Sequence, residues 1–148
     1  MNTIFAFLHH LAVLTMLACA LISITQFMCA FDLRRARVLR KLDTVNAIAA
    51  TLVLLIGVIR IFYLEKGAAY YFHNGPFIAK LVLYGVASML SLVPTLEIRL
   101  WRVPLEKGLL PVVSSNRLSR MRTVAYAQLA CIFAMAACAV LAARGIDL

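Results

Sequence analysis

Apolar residues are gathered into four long runs, at residues 4–31, 44–63, 77–100 and 122–143. About 20 helical residues are enough to cross the hydrocarbon of a bilayer, so each run is long enough to span one. The runs lack the alternation of apolar and polar residues typical of strands, and a spanning segment must be helical or part of a closed barrel. The pattern therefore predicts an all-α membrane protein, an antiparallel bundle of four transmembrane helices in one domain over residues 1–148.

Composition supports lipid as the solvent for much of this chain. Of the 148 residues, 64% are hydrophobic and 14% are charged, whereas a soluble domain has about 45–50% apolar and about 25% charged residues. Too little polar surface remains to cover a soluble globule. The composition thus excludes a soluble fold and predicts a multi-pass protein in contact with the lipid bilayer.

Positive charge is concentrated in two blocks that border the apolar runs. The link between the second and third runs holds only Lys66, and the C-terminal tail only Arg144. By the positive-inside rule both blocks are cytoplasmic, which predicts that both termini are outside. In a bacterial inner membrane, the location that we expect, that side is periplasmic. No nucleic-acid partner is expected despite the net charge of +9, because no soluble core surrounds the basic residues. The two blocks are Arg34, Arg35, Arg37, Arg40 and Lys41, and Arg99, Arg102, Lys107, Arg117, Arg120 and Arg122.

The ends of the helices carry further signals. Asp43 and Thr44 are expected to cap the second helix, and Ser114 and Ser115 the fourth. Trp101 is expected to mark the inner membrane interface. The acidic residues on the cytoplasmic side can pair with the arginines there: they are Asp32, Asp43, Glu97 and Glu106.

Small and polar residues recur at helical spacing and predict the sides that face the bundle interior, since lipid-facing positions are large and apolar. On the fourth helix two sides qualify, one with Ala127, Ala130, Ala134 and Ala137, the other with Gln128, Cys131 and Cys138. The stripes of the first three helices are Ala12, Thr15, Cys19, Ser23 and Gln26; Asn46, Ala50, Val53, Gly57 and Arg60; and Lys80, Tyr84, Ser88, Ser91 and Thr95.

Two cations lie inside the apolar runs, Arg60 and Lys80, each about one turn from the predicted outer boundary. A charge in hydrocarbon is costly unless it reaches the headgroups or finds a partner. Either these side chains extend to the outer headgroups, or they neutralise an acidic ligand. Two acids on that side, Glu65 and Asp147, are too few to balance the four cations there: Arg60, Lys66, Lys80 and Arg144.

His9 and His10 lie at the same depth of the first helix. Imidazole is a ligand for haem iron, and Arg or Lys can pair with haem propionates. We therefore treat His9 and His10 as candidate metal ligands, Arg60 and Lys80 as candidate catalytic residues, and all four with Tyr84 as a candidate cofactor site. Of the two histidines, His9 lies nearer the small-residue stripe. The alternative is that both histidines are ordinary hydrogen-bonded interfacial residues.

Several of these features occur together in one known group. An early histidine, the sequence Leu39-Arg40-Lys41-Leu42, the Gly57–Arg60 segment and Phe77-Ile78-Ala79-Lys80-Leu81-Val82-Leu83 follow in order. The chain thereby resembles the HemJ/CopD group of small bacterial membrane proteins, and more closely a proteobacterial family of predicted membrane proteins related to it. The similarity covers roughly residues 5–95. It departs two turns after the histidine, where HemJ-like proteins usually have a tryptophan and this chain has Met16 or Leu17.

The resemblance implies a haem-b-binding membrane redox protein, similar to the HemJ type of protoporphyrinogen oxidase. His9 or His10 would be the haem ligand, Lys80 the functional lysine, and quinone or porphyrin the small-molecule partner. Two alternatives remain open. One is a CopD-like role in copper transport or as an accessory protein, with ligands from Met16, Cys19, Cys131, Cys138 and the histidines. The other is a non-enzymatic protein that binds lipid, a partner membrane protein or further copies of itself.

Overall fold

Four long helices make up most of the structure, a computed structural model that describes residues 2–64 and 74–144. No strand occurs in these residues, and all four long helices are long and apolar enough to cross a membrane. The predicted all-helical bundle with four candidate spans is thus confirmed. The helices are α1 (Asn2–Met28), α2 (Leu33–Ile59, continued by a π-helical turn over Arg60–Leu64), α3 (Gly75–Leu100), the short α4 (Arg102–Glu106) and α5 (Ser115–Ala143).

The helices pack as two antiparallel pairs. Contacts are most extensive between α1 and α2 and between α3 and α5; α1 also packs on α5, and α2 touches α3 along the thinnest interface. Among the described residues, α1 and α3 do not contact each other, nor do α2 and α5, so these are the diagonals of the bundle. We call the end with the start of α1 the termini end. The opposite end, which carries both arginine blocks, is the basic end.

Helix α2 begins at Leu33 instead of residue 44, so the prediction that Asp43 and Thr44 cap it is wrong. The cap is Asp32, whose carboxylate accepts a hydrogen bond from the Arg35 backbone N–H at 2.7 Å. Arginine favours helix, and Leu39 within the basic block is buried. The first basic block is therefore helical. At α5 the predicted cap is confirmed, because Ser114 Oγ accepts from the Arg117 N–H.

A cluster of buried side chains closes the basic end. Trp101 is only 2% exposed and meets Phe31 edge-on, with ring centroids 5.3 Å apart. The tryptophan thus lies at the predicted end of the bundle, but its ring is packed in the core instead of facing the interface. The buried members of the cluster are Ala36, Leu39, Ile98, Trp101, Leu105 and Met121.

Three of the four acids pair with arginines at the basic end, as predicted. The Arg102 guanidinium donates to Glu106 at 2.8 Å and lowers the pKa of that carboxyl below its ordinary value. Asp43 is the exception and binds a threonine, as described below. The other two pairs are Asp32 with Arg35 at 2.8 Å and Glu97 with Arg117 at 3.1 Å.

The predicted interior stripes hold for α1, α2 and α3, whose members are all buried or half-buried. On α5 the inward side is the one with Gln128, flanked by the buried residues Ala125 and Ile132. Ala130 and Ala137 of the alternative side are exposed. Alanines occur all around this helix, so they did not distinguish its sides.

Candidate functional site

His9 is half-buried and packs against α2. A Cβ atom built on Gly57 would lie 3.5 Å from Cε1 of His9 and 4.0 Å from its Nδ1. The imidazole therefore packs against α2 at Gly57, with room for a methyl group but not for a larger side chain between them. This agrees with the prediction that His9 faces the bundle.

His10 has a different environment. It is exposed, and its Nδ1 donates to the Ala6 carbonyl oxygen at 2.6 Å. The two imidazole centroids are 6.1 Å apart with planes at 85°. Successive helical residues point about 100° apart, so the structure does not present the two histidines as a joint pair of ligands. His9 belongs to the α1–α2 interface, and His10 to the outer surface.

Arg60 and Lys80 both lie at the termini end and are both half-buried. Arg60 stands where α2 changes to its π-helical turn, three residues after Gly57. Lys80 is on α3, with Nζ 5.1 Å from the ring centroid of Phe77, a cation–π contact. Arg60 belongs to the end of α2, the helix that His9 contacts. Lys80 belongs to α3, which lies diagonally across the bundle from α1. Three of the charged residues that were counted in the predicted charge imbalance, at positions 65, 66 and 147, lie outside the described residues.

Tyr84 is placed in the interior. Its hydroxyl donates to the Ala50 carbonyl oxygen at 2.7 Å and so ties α3 to α2. The tyrosine was predicted as part of the cofactor site at the termini end. In the structure it lines a cavity between the helices.

This cavity lies toward the basic end and measures about 70 Å³. Gln128 reaches it from α5 and donates to the Ala87 carbonyl oxygen of α3 at 3.3 Å. A layer of Met16, Ala49 and Ile132 packs between the cavity and the termini end. The polar side chains of the lining are Ser23, Asp43, Asn46, Tyr84, Ser88, Ser91 and Gln128.

A carboxylate stands in this lining. Asp43 is half-buried and accepts a hydrogen bond from Thr95 Oγ1 at 2.6 Å, which joins α2 and α3 across their thin interface. An ionisable residue within a spanning bundle is expensive and is by default a candidate functional residue. Asp43 therefore qualifies, although the sequence placed it among the arginine-paired acids.

The cavity is too small for a macrocycle, since pockets for cofactors and similar ligands measure about 300–1,000 Å³. A haem therefore does not fit between the helices beside Tyr84. The donor chemistry for haem is present at the termini end, where an imidazole and two cations share one end of the bundle. Any haem held by His9 would lie there, outside the cavity.

Soft metal ligands are spread out. Cys19 is buried in α1, Cys29 is exposed, and Cys131 and Cys138 are half-buried in α5. Across residues 2–64 and 74–144, no group of three or more His, Cys, Asp or Glu could hold a metal ion. The copper alternative therefore finds no assembled site in the described part of the chain.

The pairing of Asp43 with Thr95 could have been found from the stripes. Asp43 precedes Asn46 by three residues and so continues the predicted α2 stripe by one step toward the basic end. Thr95 is the last member of the α3 stripe. Extending both stripes to their polar ends places the two residues at the same depth, and side by side where α2 and α3 are neighbours. Their separation of 52 positions in sequence gives no local signal.

Comparison with known proteins identifies a family but no activity. The family model described as "Predicted membrane protein (DUF2214)" matches residues 1–147. No curated protein and no solved structure matches the chain. The relation to the HemJ/CopD group therefore stays a prediction. Since the match covers nearly the whole sequence, the chain belongs to the DUF2214 family of predicted membrane proteins.

Proposed function

We propose that this membrane protein binds haem b at the termini end of its bundle and acts there as a redox protein, with quinone or a porphyrin as its small-molecule partner. The observation that carries the proposal is the placement of His9, an imidazole packed in the α1–α2 interface against Gly57. An interior histidine near the membrane surface is suited to ligate iron. The proposal puts this end on the periplasmic side of a bacterial inner membrane, by the positive-inside rule.

The residues around His9 have distinct roles in this proposal. His9 would ligate the iron, while Arg60 and Lys80 would pair with the propionates, since Arg and Lys form strong charge-assisted bonds with carboxylates. Bound haem supplies one-electron chemistry, and the protein supplies ligation, orientation and charge. The two half-buried cations support this assignment, because an anionic partner offsets the cost of keeping them in the membrane.

The test is a visible absorption spectrum of protein purified from haem-replete cells. We expect a Soret band in the native protein and its loss in His9→Ala. The matched control is His10→Ala, which removes the neighbouring imidazole from the exposed side of the same helix and should keep the band.

Two outcomes would contradict the assignment. Colourless native protein overturns haem binding altogether. A band that survives His9→Ala but disappears in His10→Ala moves the ligand to the exposed face.

A combined Arg60→Gln and Lys80→Gln variant should keep ligation but release haem more readily, measured by transfer to apomyoglobin.

A second function rests on the same cations. Arg60 and Lys80 could hold the headgroup of an anionic phospholipid, a role that needs no space for a macrocycle. The position of both cations at one end of the spanning helices favours it. Native mass spectrometry should then show anionic phospholipid retained by the native protein and lost in the double Gln variant. Retention unchanged by those substitutions argues against this role.

A further inference from the structure

We propose that the interior cavity at the basic end is a binding site for a small monovalent cation of the Na⁺ type, with Asp43 as its charged ligand. This site is separate from the termini end, and the inference does not depend on haem binding. Its basis is the hydrogen bonding of the cavity lining.

Two serine hydroxyls of the lining, on α3, already donate their protons to backbone carbonyl oxygens. Ser88 Oγ donates to the Tyr84 carbonyl oxygen at 2.8 Å, and Ser91 Oγ donates to that of Ser88 at 2.6 Å. A hydroxyl has one proton and two lone pairs. Ser88 and Ser91 therefore have only lone pairs left to offer a ligand.

Asp43 adds the negative charge. An ionised carboxylate is an acceptor only, and the single bond from Thr95 uses a small part of its capacity. Tyr84 likewise donates its proton to the α2 backbone. The cavity thus has more acceptors than donors, and it suits a ligand that is positively charged or rich in donors.

The volume of the cavity and the charge of its lining narrow the choice of ligand. A volume of about 70 Å³ holds about five water-sized groups, which admits an ion with a few waters and excludes large organic cations. Among the described residues, one carboxylate lines the cavity, whereas calcium is bound by six to eight oxygens that commonly include several carboxylates. A monovalent ion bound through oxygens and residual waters matches this lining.

One nearby charge opposes the ion. Arg99 lies one turn after Thr95, and its positive charge acts on Asp43. It is exposed at the end of α3. Arg99 should therefore weaken cation binding without closing the cavity, which gives the proposal a variant with an effect of opposite sign.

The experiment compares the thermal unfolding of purified protein in zwitterionic nanodiscs in NaCl and in choline chloride at equal ionic strength. We expect NaCl to raise the Tm with saturation, whereas choline, which is too large for the cavity, does not. Asp43→Asn should raise the half-saturating Na⁺ concentration about ten-fold or more, the effect of losing a charged ligand. Arg99→Gln should lower it by about two- to five-fold.

Glu106→Gln is the matched control, because it removes an exposed acid at the same end and should leave the Na⁺ response unchanged. If Asp43→Asn does not fold, Ser91→Ala keeps the carboxylate and removes one oxygen, and it should still weaken the response several-fold. Equal Tm values in NaCl and choline chloride overturn the proposal. So does a saturable Na⁺ response that neither Asp43→Asn nor Ser91→Ala alters.

Discussion

The contact between His9 and Gly57 allows a prediction in which the geometry determines both sign and size. In Gly57→Ala the new Cβ lies 3.5 Å from His9 Cε1, an ordinary van der Waals distance. Nothing has to move, and replacing glycine within a helix gains about 1 kcal/mol. We therefore expect Gly57→Ala to be at least as stable as the native protein.

A larger side chain at the same position should have the opposite effect. In Gly57→Leu the further carbons must occupy the space of the imidazole, and such overpacking costs about 1–3 kcal/mol. Gly85 on α3 provides the control, since a Cβ built there meets nothing within 4 Å. Both Gly85→Ala and Gly85→Leu should therefore show only the gain in helix propensity.

The quantity to measure is the free energy of unfolding of all four variants, by SDS titration followed by far-UV circular dichroism. At each position we subtract the free energy of unfolding of the Ala variant from that of the Leu variant. This difference should be about 1–3 kcal/mol less favourable at Gly57 than at Gly85. In a His9→Ala background the penalty should largely disappear. A difference below about 0.5 kcal/mol, within the usual error of additivity, would refute this account of the His9 site.

Three further substitutions test other contacts. Tyr84→Phe removes the hydrogen bond to Ala50 and should destabilise the bundle by about 0.6 kcal/mol in the same titration, the average for such bonds in membranes; no change would show that water replaces it. Asp32→Ala removes the α2 cap and should cost about 1 kcal/mol, whereas Asp43→Ala should not change fraying of the α2 start in hydrogen exchange. The hydrogen bond from Arg102 makes the pKa of Glu106 lower in the folded protein than in the unfolded chain. The ion pair therefore stabilises the fold fully above the ordinary glutamate pKa of about 4.3, and this stabilisation is lost as the pH falls through the lower folded value. The Tm difference between native protein and Glu106→Gln should accordingly vanish in acid, and a constant difference would contradict the ion pair.

The spans could be predicted because hydrocarbon thickness imposes both their length and their apolar character. Bundle-facing sides followed from small and polar residues on three helices, including Ala12 and Cys19 on α1. The start of α2 could not be predicted in this way, because the apolar run begins only at residue 44 and the arginine block before it carries no such signal. The structure has helix there, since Asp32 caps it and Ala36 and Leu39 give it a buried side.

The interior site was harder to predict, because it depends on which helices are neighbours. Asp43 and Thr95 meet only because α2 and α3 adjoin, and nothing local to either residue encodes that pairing. Tyr84 was correctly assigned to the interior stripe, but its depth along α3 places it in the cavity. His9 lies at the α1–α2 interface, in agreement with the preference for His9 over His10, because that preference depends on the rotation of α1 alone.

The pairing of α1 with α2 and of α3 with α5 has a consequence for biogenesis. Each pair is a helical hairpin that can enter the bilayer before the two hairpins meet, in keeping with two-stage assembly. Until then Asp43, Ser88 and Ser91 would be exposed to lipid or held by the insertion machinery. Docking of the hairpins is thus the step that creates the cavity, and substitutions in its lining should affect maturation at that late stage, after both hairpins are inserted.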